Sequence, residues 1–402
     1  MAAAVDLDQE LLRKVHGLND LELAALLSLT AREHCLISTT HEAVDELTEE
    51  LRLIASRTFG LSSAVISCHE HTTLDDFANA LLPPPPTPPP PASNSSSRRA
   101  ISPYQTRHHH PHNNGSYFSR TSGGPTSPSS STSQPPLIAN IVLAKHLNRA
   151  PRAVQIQALE LLRTRRIFTR TTVQTAPKQF LFVAVLGALS GGRAHVVPHL
   201  NDFFYLAYWH DPTDGFDYLD RDQGNDADGN DFDDNGDAAS TSSSISVVKR
   251  RGSSAPLRSI ASTQPDGLPL ERPLLSEREV ALLAQLSRQV RVNVDVARYQ
   301  MNIISFLRTH RAVGGGITPT ATKHFGQLMR SLAPLHGQDF VTPSLVALAA
   351  KKVYLHRIKM VAPELERSMQ WGSELVAIET ILEGREPEDI IDAVLNAVAV
   401  PN

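Results

Sequence analysis

Apolar residues recur every three or four positions in two stretches near the N-terminus, DLELAALLSLTAREHCLI and HEAVDELTEELRLIASRTFG. This spacing is typical of amphipathic helices. Thr40 is a suitable cap before the second helix, and Gly60 is a suitable stop after it. The first stretch places Cys35 in a buried helix, and the β-branched run SAVISC that follows both stretches places Cys68 in a buried strand.

The middle of the chain alternates between strand and helix patterns. The apolar run IANIVLA is followed by the helical pattern APRAVQIQALELLRTRR, the β-like run IFTRTTV and the apolar run FLFVAVLG. This alternation predicts a parallel α/β sheet. Continuous apolar runs suit strands covered on both faces, so we expect Val142 and Leu143 to lie beside Phe182 and Val183.

Helical patterns alone follow from Leu275 to the end of the chain. Ser276 with Glu279 three residues later forms a capping-box pattern, and Thr342-Pro343 is a second helix start. The sequence therefore predicts an all-helical domain after the α/β domain.

Two long polar stretches interrupt these patterns. Residues 83–136 are rich in Pro, Ser and His, and residues 211–272 begin acidic and end basic. Neither has enough apolar residues to offset the entropy lost on ordering, which predicts disordered insertions. The predicted organisation is N-terminal helices with the first core strand (1–82), the rest of the core (137–210) and the helical domain (273–402).

Charge and composition narrow the function classes. The net charge is −4 with a pI near 6.5, which gives no reason to expect nucleic-acid or anionic-membrane binding. The N-terminus lacks a signal-peptide pattern, and no apolar run approaches the roughly 20 residues of a membrane span. These features predict a cytoplasmic protein, with Lys249–Arg251 a weak nuclear signal. The two cysteines are expected to be buried small hydrophobes, with a disulfide or redox pair as the alternative.

One stretch carries a family resemblance. ANIVLAKHLNRAPRAVQIQALELL resembles the Walker B strand and following helix of the MoxR and magnesium-chelatase I-subunit branch of the AAA+ ATPases, with Asn148 and Arg149 at matching positions. FLFVAVLGA, HLNDFF and GITPTA resemble later motifs of that branch. The resemblance implies a three-layer AAA+ core of the P-loop type followed by a helical lid. It also implies a ring-forming motor that remodels a partner or drives metal insertion into a porphyrin.

The residues that carry ATPase chemistry in that family are replaced. A phosphate loop needs glycines and a lysine, but the loop after SAVIS contains neither and offers only Thr72 and Thr73 as weak candidates for a Mg²⁺-binding hydroxyl. Lys145 and His146 stand where the family has its Asp-Glu pair, and Gly187 stands where it has a water-positioning Asn.

Two arginine positions differ as well. The arginine that acts on a neighbour's nucleotide corresponds to Asp202, and the lid arginine corresponds to Thr320. These losses predict a catalytically degenerate pseudo-ATPase that needs no cofactor and acts as a scaffold or regulatory partner. One alternative is an active ATP- and Mg²⁺-dependent subunit. The other is an unrelated helical adaptor that works through its Pro-rich and acidic tracts.

The remaining candidates are weaker. Cys68, His69 and His146 lack the spacing of a metal site. The run His108–His112 is a weak transition-metal candidate, and the EF-hand-like loop from Asp231 has Ser242 where a bidentate Glu is required.

The partners expected from the sequence are other proteins. Pro83–Pro91 can form polyproline II helix and bind SH3 or WW domains. Self-association through AAA+ surfaces is the second possibility.

Overall fold

The computed structural model describes residues 2–81, 138–168, 173–226 and 273–401 of the 402-residue chain. The strands in these ranges are β1 (Cys35–Thr39), β2 (Ser63–Ser67), β3 (Ile141–Lys145), β4 (Arg166–Phe168), β5 (Val173–Thr175), β6 (Leu181–Gly187), β7 (Leu206–Trp209), β8 (Val313–Gly315) and β9 (Lys359–Met360).

Helices surround these strands. They are α1 (Ala2–His16), α2 (Asp20–Ala31), α3 (Val44–Leu53), α4 (Leu74–Ala80), α5 (Arg152–Thr164), α6 (Pro198–Asn201), α7 (Asp217–Asp226), α8 (Glu277–Gln289), α9 (Val294–Thr309), α10 (Pro319–Leu335), α11 (Pro343–Tyr354), α12 (Leu375–Leu382) and α13 (Pro387–Ala397). The predicted helix starts at Ser276 and Thr342 are confirmed, the first with a complete capping box.

Five parallel strands form the central sheet in the order β2-β3-β6-β1-β7. Val142 pairs with Phe182 and Leu143 with Val183, as predicted. Alternate residues point to opposite faces. Leu143 and Val183 belong to the core shared with α2, α3 and the helical domain, whereas Val142 and Phe182 belong to the core shared with α4 and α5. The predicted parallel three-layer core is confirmed. It contradicts the alternative of an unrelated helical fold, whereas an adaptor role of the Pro-rich and acidic tracts stays a prediction.

The sequence missed two strands of this sheet. Cys35 was expected in a helix, but α2 ends at Ala31 and residues 35–39 form β1, which is buried along its whole length. The five-residue run CLIST gives no period that separates strand from helix when it directly follows an apolar helix. β7 was also missed, because its four residues follow the matched motif HLNDFF and were not assigned to any element. The expected helix cap at Thr40 was wrong as well, because α3 begins at Val44.

The boundary of the second polar stretch was placed too early. Residues 212–214 form a 3-10 turn and residues 217–226 form α7. Glu50, which is fully buried, accepts hydrogen bonds from the backbone N–H groups of Tyr218 (3.1 Å) and Leu219 (3.1 Å). Phe216 is buried in the core. These contacts hold the first turn of α7 against the core. The polar composition of the segment gives no sign of them.

Other predictions concern parts of the chain that the structure does not describe. The insertion 83–136, with Pro83–Pro91 and His108–His112, lies outside the described residues. So do residues 227–272, with the EF-hand-like loop and Lys249–Arg251. These predictions stay predictions.

Arg357 joins the helical domain to the core. Its side chain is 2% exposed, and the guanidinium donates to the carbonyl oxygens of Val353 (2.6 Å), Asp202 (3.1 Å) and Phe204. It also donates to His324 Nδ1 over 2.7 Å, and its Nε lies 3.4 Å from a carboxylate oxygen of Asp202. Burial lowers the pKa of Arg357 to about 10. The group is therefore charged at neutral pH and depends on these acceptors.

The contact between Glu50 and α7 predicts a specific pH dependence. Burial raises the pKa of the Glu50 carboxyl above its ordinary value, so the group stabilises the fold in acid and this contribution is lost as pH rises through the raised pKa. We expect the stability advantage of the wild type over Glu50→Gln to shrink as pH rises from about 4.3, the ordinary glutamate pKa. Urea denaturation at a series of pH values measures it.

The neighbouring glutamate is a matched control for this experiment. A hydrogen bond from Arg52 lowers the pKa of Glu49, so Glu49→Gln should lose its difference from the wild type as pH falls instead. A wild-type advantage over Glu50→Gln that grows with pH would contradict the assignment.

Candidate functional site at the carboxyl edge of the sheet

Parallel strands place all their carboxyl ends at one edge of the sheet. Thr39 of β1 lies opposite Gly187 of β6, and Lys145 of β3 lies between Ser67 of β2 and Val185 of β6. Open α/β sheets bind ligands at this edge, in the crevice where the strand order reverses. The edge is therefore the first place to look for a site.

The loop at the centre of this edge follows β1. β1 lies between β6 and β7, and residues 40–43 connect it to α3, which packs across β1, β3 and β6. A strand, a short loop and a helix N-terminus are the architecture that holds phosphate groups. The sequence analysis assigned this role to the loop after β2. In the structure β2 is an outer strand, three strand spacings or about 14 Å from β1.

Thr72 and Thr73 are used locally after β2. Thr73 Oγ1 accepts from the N–H of Asp76 (3.1 Å) and donates to its carboxylate (2.6 Å), so that it caps α4. Thr72 is 5% exposed, and its Oγ1 accepts from the N–H of His69 over 2.8 Å. Both hydroxyls therefore stabilise the turn into α4.

Lys145 crosses the carboxyl edge from the end of β3. Its side chain is 17% exposed and forms an ion pair with Asp45, in the first turn of α3. A cation from the sheet thus meets an acid at a helix N-terminus, where the helix dipole also favours the acid. The site that the sequence linked to magnesium thus contains an ion pair in which the Asp45 side chain is 80% exposed.

His146 follows in a left-handed backbone conformation, with φ 53°. Its N–H donates to Val185 O over 2.8 Å. Burial, followed by the charges of Arg149, Lys145 and His41, lowers the pKa of the His146 imidazole. His146 is therefore neutral at physiological pH and adds no cation to the edge.

Gly187 and His41 share the centre of the edge. A methyl group built on Gly187 would lie 2.5 Å from His41 Nδ1 and 3.1 Å from a methyl of Val44. Real side-chain carbons do not approach other atoms so closely, so the position requires glycine as long as His41 stays in place. His41 occupies the space beside β6 where a polar side chain at position 187 would project.

The sequence analysis did not identify His41, Asp45 or Thr39 as site residues. Thr39 is fully buried, and its Oγ1 has no hydrogen-bond partner among the described residues. These residues follow or end β1, the strand that the sequence analysis assigned to a helix. If CLIST had been assigned to a strand, the loop that follows it would have been a candidate phosphate loop, and these residues would have been examined.

The other family-motif positions lie away from the central loop. Asn148 and Arg149 are exposed in the 3-10 turn after His146. The carboxylate of Asp202 accepts from Thr318 Oγ1 over 2.6 Å and pairs with Arg357. Thr320 lies in the first turn of α10. The structure therefore brings Lys145, His146 and Gly187 together and places Asp202 at the junction with the helical domain.

The structure also describes the two cysteines and the candidate metal ligands. Cys35 and Cys68 are buried free thiols, and burial raises the pKa of Cys35 to about 12 and that of Cys68 to about 11. This agrees with their prediction as small hydrophobes. Within the described ranges, no group of three His, Cys, Asp or Glu side chains is placed to bind a metal ion. None of the described helices is long and apolar enough to cross a membrane.

Comparison with known proteins supports the fold. Residues 305–376 match the family model of the AAA lid domain. A solved protein of Cytophaga hutchinsonii ATCC 33406, provisionally identified as an ATPase, superposes with a TM-score of 0.58 over 100% of this chain and 99% of that chain, at 12% identity. A full-length MCM homolog from Methanopyrus kandleri gives a TM-score of 0.39 at 12% identity, over 88% of this chain and 60% of that chain. The lid match and the superposition on the Cytophaga hutchinsonii protein show that the chain has an AAA+ ATPase-like fold with a lid domain.

A curated relative matches over a shorter stretch. The maintenance of telomere capping protein 2 of Lachancea thermotolerans is 30% identical over 104 residues. The match covers 25% of this chain and 36% of that protein. The chain thus spans about a third of the length of this relative.

The close approach of His41 to Gly187 generates a prediction. Gly187→Ala should lower the free energy of unfolding by about 1–3 kcal/mol, the usual cost of overpacking, because His41 must move. Gly315→Ala is the matched control, since a methyl group there meets no atom within 4 Å. Chemical denaturation measures both variants.

A double variant tests the cause. Once the imidazole is removed, the clash is relieved. Gly187→Ala should therefore cost much less stability in the His41→Ala background than in the wild type. Equal losses in the presence and absence of His41 would show that the two residues are not in contact.

Proposed function

We propose that this protein is a catalytically degenerate AAA+ protein that acts as a scaffold or regulatory partner without hydrolysing ATP. The observation that carries the proposal is the ion pair between Lys145 and Asp45 at the carboxyl edge of the sheet. It occupies the place where the family resemblance leads us to expect magnesium and phosphate. The finer assignment to the MoxR and magnesium-chelatase branch rests on the matched motifs around Asn148 and Arg149 and is part of the proposal.

The groups at the end of β3 do not fit Mg²⁺. Magnesium requires oxygen ligands, usually carboxylates together with waters. Lys145 brings a cation to this position, and it engages Asp45, the acid that faces it from α3. His146 is held neutral by burial, and its imidazole is a nitrogen ligand for softer metals.

The loop after β1 does not fit a nucleotide phosphate. Residues 40–43 read Thr-His-Glu-Ala, with neither the glycines that let backbone N–H groups surround a phosphate nor the lysine that reaches it. Glu42 and Asp45 instead add negative charge at the start of α3. His41 fills the space beside Gly187. The cavities of about 490 and 580 Å³ lie elsewhere, beside α2 and at the junction with the lid.

One observation favours the active subunit as a second candidate. The buried hydroxyl of Thr39, at the end of β1, has no partner among the described residues. In P-loop proteins the magnesium-binding hydroxyl follows the loop, whereas Thr39 precedes it. A working but unconventional site would therefore use Thr39. The curated relative is named for telomere capping, but the match is short, and we carry no partner over from it.

The lid offers a surface for protein partners. Trp371 is 86% exposed, and Leu365 and Val376 are 77% and 71% exposed, although they are large apolar side chains. α12 between Leu375 and Leu382 buries only Ile378. Exposed apolar clusters of this kind mark interaction sites. Because the family resemblance implies a ring-forming protein, we infer that a second copy of the chain covers this surface.

ATP turnover tests the proposed loss of catalysis. The full chain with Mg²⁺ should hydrolyse ATP no faster than buffer and should bind ATP in the millimolar range or more weakly. Lys145→Asp/His146→Glu should not create turnover, because the loop after β1, Gly187 and both arginine positions remain unchanged, and such residues act as a unit. Phosphate release and calorimetric titration measure the two quantities.

Two variants, Thr39→Ala and Thr72→Ala/Thr73→Ala, would locate an ATPase site if the wild type hydrolyses ATP. Mg²⁺-dependent turnover by the wild type that is lost in Thr39→Ala, but not in the exposed control Thr309→Ala, would establish the second candidate. Loss of turnover in Thr72→Ala/Thr73→Ala would locate the site after β2 instead.

The scaffold role predicts association through the lid. The wild type should associate as its concentration rises, and Trp371→Ser/Val376→Ser should weaken this association, because both changes remove exposed apolar area. Sedimentation velocity over a concentration series measures it. Leu189→Ser is the control, because Leu189 belongs to the α/β domain instead of the lid and its side chain is also 77% exposed. A wild type that is monomeric at every concentration contradicts self-association through this surface.

A further inference from the structure

A cavity of about 580 Å³ lies between the core and the lid, and its lining includes neither residue of the carboxyl-edge ion pair. We call it the core–lid cavity. Its wall comes from the segment between β6 and α6 on the core side, and from β9 and the start of α13 on the lid side. The residues that define it here are Arg193, His195, His356, Lys359, Arg385 and Glu386.

Positive charge predominates in this cavity. Among the residues that the structure describes, Glu386 is the carboxylate in the wall, and it is already engaged. It accepts from Ser190 Oγ over 2.6 Å and lies 3.1 Å from Arg193 Nε. It also caps α13. It is therefore not free to neutralise a further cation.

Two cations in the cavity have no such partner. Lys359 and Arg385 form no ion pair with a carboxylate in the described parts of the chain, and Nε of Arg385 donates to the carbonyl oxygen of Ile381 over 3.0 Å. Arginine presents several donors in a planar fork and lysine presents a compact charge, and together they are the usual partners of oxyanions. The cavity thus offers unused positive charge.

Two histidines connect the walls of the cavity. His195 Nδ1 donates to the carbonyl oxygen of His356 over 3.1 Å, which joins the core segment to the lid. His356 is fully buried, and its Nε2 donates to Phe204 O over 3.2 Å. Both imidazoles therefore stabilise the junction at which Lys359 and Arg385 lie.

We propose that the core–lid cavity binds a small multivalent oxyanion, such as a phosphate- or polycarboxylate-bearing metabolite, through Lys359 and Arg385. The ligand contacts both sides of the junction, so its binding holds the lid against the core. The cavity is large enough for a pyrophosphate or a tricarboxylate. This site is separate from the carboxyl edge and does not depend on the function proposed above.

Calorimetric titration of the full chain with inorganic pyrophosphate at low salt tests the site, and citrate in a parallel titration distinguishes phosphate from carboxylate chemistry. Lys359→Gln/Arg385→Gln should raise the dissociation constant about tenfold or more, because the charge-assisted hydrogen bonds of both side chains are lost. Both side chains are exposed, so the variant should keep the melting temperature of the wild type in the absence of ligand.

Two control variants locate the binding. Arg298→Gln removes an exposed arginine that pairs with Asp295 on α9, and it should leave the affinity unchanged. Lys145→Met removes the cation at the carboxyl edge and should also leave it unchanged. Hydrogen exchange should slow in residues 191–197 and 357–360 when the probe binds, because the ligand stabilises both segments.

Three outcomes would overturn the proposal. The first is that neither pyrophosphate nor citrate binds the wild type. The second is that the affinity is the same in Lys359→Gln/Arg385→Gln as in the wild type. The third is that binding is lost in Lys145→Met, which would place the anion at the carboxyl edge. Tighter binding of one probe than of the other supports the site and assigns its chemistry.

Discussion

The burial of one guanidinium group sets the relation between the two parts of this protein. Arg357 carries its charge into an interior that is almost closed to water, and its acceptors come mainly from the core segment before β7, with one carbonyl from α11. Removing one partner of a buried pair costs about 3–5 kcal/mol, because the other charge stays behind without compensation. These contacts fasten the lid to the core. Arg357 and His356 also belong to the wall of the core–lid cavity.

The lysine at the carboxyl edge of the sheet is paired with an acid of the same chain. A nucleotide site keeps cations and N–H groups unsatisfied until phosphate arrives. Here Lys145 is paired with Asp45, and His41 packs where a side chain from position 187 would project. The core–lid cavity has the opposite character, since Lys359 and Arg385 lack acidic partners among the described residues. The two places thus differ in how much charge remains available, and this difference separates the proposals made for them.

Segments that stand apart from other patterns were predictable from the sequence, and segments that continue a neighbouring pattern were not. The strands β3 and β6, the helix α5 and the helices of the lid follow from apolar runs or from helical spacing. β3 has five residues, as β1 has, but β3 comes after a long polar stretch, whereas β1 comes closely after the apolar helix α2 and was taken as part of it. β7 has four residues, too few to show a period. α7 was hidden by its polar composition, because Phe216 and the buried Glu50 supply its anchoring. The positions of Lys145, His146 and Gly187 were found, but His41 and Asp45 were missed with the strand that precedes them.

The sequence by itself determined which segments are apolar enough to form a covered parallel sheet and a helical domain, since that pattern depends on residues close together in the chain. It also determined which residue types replace those expected from the resemblance. Only the tertiary structure decided that β1 lies between β6 and β7, and hence that residues 40–43 hold the centre of the carboxyl edge. The physical reason is that strand order arises from pairing between segments about 150 residues apart, and no local pattern records such a contact.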